Sequence, residues 1–170
     1  NSHRFLLVAP VLFLALESSG FAQRYTISRA TSADRTQTPL ILLTDTMAQV
    51  QAAIAPEKGG ELSGLQVRFH DKWIETLYLA RDYSQRSGWT GKAPLLWPAT
   101  GRNFPPDMEA RQRAGERFAT GAYEVDGQRY EMPIHGFARD LSWSVEETAA
   151  SVNGAFASLA VKDSPTTRKL

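Results

Sequence analysis

Apolar and polar residues alternate with a period of two over most of the chain, and turn residues cut that alternation into short runs. Leu40–Leu43 is a compact apolar run. Val50, Ala52 and Ile54 then alternate with polar or small neighbours, the signature of a half-buried strand. Gly59-Gly60 marks a turn or bulge, after which Leu62, Leu65, Val67 and Phe69 continue the strand pattern. Trp73–Leu79 predicts another strand. Tyr123 and Val125, then Asp126-Gly127, then Arg129–Met132 predict a β-hairpin. Asp-Gly suits a type I′ turn, which needs positive φ at both central positions. Ser142, Ser144 and Glu146 alternate with Trp143, Val145 and Glu147. Asn153-Gly154 then signals a turn, and Ala155–Val161 predicts a last strand. The fold class expected is mostly β, an antiparallel β-sandwich.

Two stretches depart from this rhythm. Residues 23–40, rich in Ser, Thr, Arg and Gln, read as a lead-in segment. Residues 105–118 begin with Pro105-Pro106 and place Asp107 and Glu109 early, which suits a short surface helix.

Composition narrows the classes. At 170 residues the chain is long enough for one domain with its own core. A net charge of +1, with both signs scattered, gives no electrostatic case for a nucleic-acid partner. No cysteine is present, which excludes disulfides, thiolate nucleophiles and zinc–thiolate sites. At the N-terminus, Arg4 precedes the apolar run Phe5–Leu16, with Gly20 and Ala22 behind it. Residues 1–22 thus read as a secretory signal peptide cut after Ala22, and the run is too short for a stable membrane span. The expected location is secreted or periplasmic.

Candidate chemistry is sparse. His70 sits beside Asp71-Lys72 and reads as an exposed turn residue. His135 follows Pro133-Ile134 at a strand end and precedes Gly136, which permits close approach of a ligand or another backbone. The residues alone leave His135 open between a structural and a ligand-contacting role. Arg102 ends the turn Pro98–Arg102, where a guanidinium could serve neighbouring hydroxyls or a surface ion pair. Trp97 and Trp143 read as core, with a stacking platform for a ligand ring as the alternative. No Gly-x-Ser-x-Gly, phosphate-cradling glycine loop or His-Glu-x-x-His occurs, and the histidine spacing gives no metal site.

The run Tyr130–Asp140 with Trp143, taken with Pro94–Pro98 and Gly101-Arg102, resembles the aldose 1-epimerase (galactose mutarotase) family. The resemblance covers about residues 45–165, including Gly59–Leu62 as an early structural turn. It implies a galactose mutarotase-like β-supersandwich, of which residues 41–170 would be the N-terminal portion. It also implies a hexose substrate, no cofactor, His135 as catalytic and sugar-binding residue, and Arg102 as sugar-binding residue. Arg139 and Asp140 are expected to brace the His135 loop. The stretch 103–122 is longer than the family pattern, and its Arg111, Arg113 and Arg117 make a phosphorylated sugar conceivable.

The family reaction pairs an acid, a second histidine, with a glutamate base near the C-terminus. No histidine follows His135, and Glu146 and Glu147 do not match the base's context. The expectation is therefore an aldose 1-epimerase-like isomerase interconverting α and β anomers, incomplete and inactive over these residues alone. The alternative is a secreted, non-catalytic carbohydrate-binding β-sandwich.

Overall fold

The computed structural model describes residues 23–78, 83, 93–104, 107–116, 121–165 and 167–169. The predicted signal peptide lies outside them. The fold is mostly β and antiparallel, of sandwich type. Five strands form one meander: β1 (Tyr25–Thr31), β2 (Pro39–Asp45), β3 (Val50–Ala55), β4 (Glu61–Phe69) and β5 (Lys72–Glu75). Two hairpins follow, β6 (Gly121–Val125) with β7 (Gln128–Met132), and β8 (Ser144–Ala150) with β9 (Ala155–Ala160). The β8–β9 hairpin packs against β1 and β2.

Local chemistry accounts for most of these elements. Ile41 pairs with Arg29 on one side and Ile54 on the other, and Ile54 pairs with Leu62. Ile41 is wholly buried, so this row anchors the sheet. Asp126 and Gly127 both take positive φ, as a type I′ turn demands. His70 and Asp71 do the same between β4 and β5, so His70 is a turn residue.

Three elements differ from expectation. The lead-in contains β1, whose Thr, Ser and Arg residues leave little apolar signal. It is an edge strand carried by a single ladder to β2, and Arg24 clamps it through a bidentate pair with Asp45. β5 covers only Lys72–Glu75, and Leu79, at the end of the predicted strand, lies outside the described residues. The helix shortens to α1 (Met108–Arg113), and Pro105, Pro106, Arg117 and Phe118 are likewise outside.

The turn after β1 is tied by polar groups. The Asp34 carboxylate accepts from Ser32 Oγ, Thr36 N and Thr36 Oγ1, and from the distant Tyr83 N at 2.9 Å. Burial pushes this carboxyl up, but the bonds from Thr36, Ser32 and Tyr83 outweigh it and hold Asp34 at about 2, against an ordinary 3.8. A depressed carboxyl stabilises the fold above its unfolded value and loses that contribution as it protonates. Asp34→Asn should therefore lower resistance to urea at neutral pH. The gap from wild type should close as pH falls from 3.8 towards about 2, which urea titrations at stepped pH would measure.

Candidate functional site

Two connections carry the segments of interest away from the sheet. Leu62 and Ala93 exchange both backbone hydrogen bonds, at 3.2 and 3.1 Å, and so launch residues 93–97 from the start of β4. On the other side, Gly59 N donates to Leu141 O and Trp143 N donates to Pro56 O, both at 2.9 Å. Gly59 has φ +69, and a Cβ there would overlap the Arg139 backbone, so glycine is required for this docking.

Between these anchors the two motif segments meet. Trp97 and Gly136 form a parallel bridge, and the Trp97 carbonyl accepts from both Phe137 N and Ala138 N at 3.1 Å. The Trp97-Pro98 peptide is cis. Gly136 has φ +75, and an added Cβ would fall on the Trp97 carbonyl.

His135 itself has φ +68. Its N–H donates to Gly101 O at 2.9 Å, and its Nδ1 lies 2.7 Å from Thr100 O. A carbonyl can only accept, so Nδ1 carries the proton. In the neutral ring Nε2 is then an acceptor, and among the described residues it has no protein partner. The histidine's backbone is thus bonded to the residue preceding Arg102, whose own side chain is exposed. Arg139 Nη2 donates to Ile134 O at 3.0 Å, which fixes the carbonyl just before His135.

A cavity of about 470 Å³ lies beside this turn, lined by Trp97, Pro98, Asn103, Tyr123, Met132 and Phe137 among others. A second, of about 260 Å³, shares Trp97 and Phe137 with it. Neither Arg102 nor His135 lines either cavity.

Trp97, expected in the core, is 54% exposed. Its ring meets Phe137 edge-on, with centroids 5.5 Å apart. Trp143 is the structural one: it lies against Gly60, and its Nε1 donates to Ala138 O at 2.9 Å. The only advance sign of the difference is that Trp97 sits between prolines and outside any alternating run.

In the 103–122 stretch, Arg111 pairs with Glu116 and Arg113 with Glu109. Two of the three guanidiniums the phosphorylated-sugar idea would use thus have carboxylate partners, and the third, Arg117, lies outside the described residues. Glu146 and Glu147 sit on β8. Among the described residues no cluster of three or more His, Asp or Glu could hold a metal. No helix among them is long and apolar enough to cross a membrane.

No protein family's sequence profile and no curated protein sequence matches the chain. Among solved structures, the crystal structure of the Slr1438 protein from Synechocystis sp. PCC 6803 is similar, with a TM-score of 0.57 and 23% identity. The match covers 85% of this chain and 43% of that one. The likeness is one of fold. This chain spans less than half the length of Slr1438, and the epimerase resemblance rests on the sequence motifs alone.

Gly136→Ala tests the central contact. A methyl group at positive φ and against the Trp97 carbonyl should destabilise the protein by about 3 kcal/mol or more. Denaturant melts should report the loss.

Proposed function

We propose that this chain forms the sugar-binding N-terminal part of an aldose 1-epimerase-like isomerase acting on a free hexose. The proposed setting is secreted or periplasmic, on the strength of Arg4, the apolar run behind it and the small residues Gly20 and Ala22. The observation that supports the reading best is the seat of His135. Its Nδ1 is held by the Thr100 carbonyl, so Nε2 is left to work beside the Gly101-Arg102 turn.

The chemistry asks for such a group. Mutarotation removes the proton from the anomeric hydroxyl and delivers one to the ring oxygen. The ring opens, the aldehyde end rotates, and closure on the other face gives the second anomer. Nothing is oxidised and no group is transferred, so proton handling and positioning suffice. Neutral His135 accepts a hydroxyl proton at Nε2, and protonated His135 donates to an oxygen from the same atom. Arg102 supplies fixed donors to adjacent hydroxyls. The family's second histidine and glutamate base have no match in residues 136–170, so these residues hold the sugar, and the full acid–base pair needs groups outside them.

A carbohydrate-binding module without catalysis is the second reading. It is favoured by the single imidazole at this site among the described residues, since His70 lies in the β4–β5 turn.

Polarimetry on the full protein, with freshly dissolved α-hexose, tests both. The expected result is faster anomer exchange, cut about 10²-fold or more in His135→Asn. Asn tolerates positive φ, so the variant should keep its backbone. Hexose binding without faster exchange would favour the binding module. No hexose binding at all would overturn both readings.

A further inference from the structure

We propose that Asn153 is a self-modification site, where the side-chain amide is lost and the backbone is rerouted through the side chain to give isoaspartate.

The chain has three asparagines, and only Asn153 is followed by glycine. It stands in the loop Ser151–Gly154 between β8 and β9, whose last paired residues are Ala150 and Ala155. Asn153 is exposed, and its neighbour Val152 is 88% exposed, so the loop projects into water.

The reaction needs a free backbone nitrogen, an open amide and room for the two to meet. Among the described residues neither Gly154 N nor the Asn153 side chain makes a hydrogen bond. The loop is held by other groups: Ser151 N donates to Gly154 O at 2.8 Å, and Asn153 N donates to Ser151 Oγ at 3.1 Å. The Gly154 N–H is thereby left to solvent. A Cβ at Gly154 would meet nothing within 4 Å, and glycine turns easily to the geometry of attack. Asn103 has the opposite setting. Phe104 follows it, and its backbone lies so close to Gly121 that a Cβ there would overlap it.

The step needs only water. Gly154 N gives up its proton and attacks Asn153 Cγ, closing a five-membered succinimide. The Cγ–N bond of the amide breaks, and ammonia leaves with the proton. Water then opens the ring. Attack at Cγ gives aspartate, whereas attack at the Asn153 main-chain carbonyl gives isoaspartate, with a backbone one methylene longer. Both products add a carboxylate to the hairpin tip. Only the second lengthens the loop that the Ser151–Gly154 bond closes, and so breaks that bond.

Incubation of the full protein at mildly acidic and mildly alkaline pH, followed by peptide mapping, tests this. The Asn153 peptide should gain the mass of one deamidation, faster at the alkaline pH. It should also accept methyl groups from an isoaspartate-specific carboxyl methyltransferase. Asn103 should keep its amide. Gly154→Ala fills open space at a backbone angle outside the left-handed region, so it should fold normally and retain the Asn153 amide over the same time. Hydrogen exchange at Ser151 N should quicken in the aged protein but not in Asn153→Asp, which adds the charge at unchanged backbone length. If the residue stays intact in the folded protein while a synthetic peptide of the same sequence converts, the loop protects it and the proposal is overturned. Loss at Asn103 as fast as at Asn153, unchanged loss in Gly154→Ala, or a product that accepts no methyl group overturns it too.

Discussion

The candidate site depends on one backbone-to-backbone contact that only glycine permits. Gly136 lies so close to the Trp97 carbonyl that a single methyl group would occupy the same space. That approach lets one carbonyl accept from Phe137 and Ala138 together, and it sets the turn after Trp97 within reach of His135. The imidazole is then aimed by Thr100 and Gly101, so its orientation follows from main-chain geometry more than from apolar packing.

The sheet's part is to bring the two segments to the same place. Leu62 holds the arriving strand, and Pro56 and Gly59 hold the departing one. Both anchors stand at or just before the start of β4, so a small region of the sheet serves as the base for the whole arrangement. Polar ties elsewhere, such as Asp34 reaching Tyr83, play a similar role where apolar burial is thin.

Local chemistry made much of the fold legible. The apolar run Leu40–Leu43 marks β2 and the period-two alternation marks β3 and β4, and Asp126-Gly127 announces its hairpin because few other residues accept both positive φ values. β1 escapes notice because an edge strand needs no apolar stripe, only a partner ladder. The candidate site was legible as a pair of motifs, and its working detail was not. The Nδ1 bond of His135 reaches residue 100, and the exposure of Trp97 depends on what Phe137 and Met132 leave open. Such properties belong to long-range packing and leave no trace in a local pattern. The same holds for Arg111 and Arg113, whose carboxylate partners decide whether they are available to a ligand.

The Trp97–Gly136 bridge also has a temporal consequence. The β1–β5 meander can grow hairpin by hairpin, since each strand pairs with the one before it. The bridge instead closes the whole 97–136 segment, and its contacts reward the chain only after that closure. The site is therefore ordered later than the meander's own hairpins. A partial unfolding that leaves the sheet untouched would already have dissolved it.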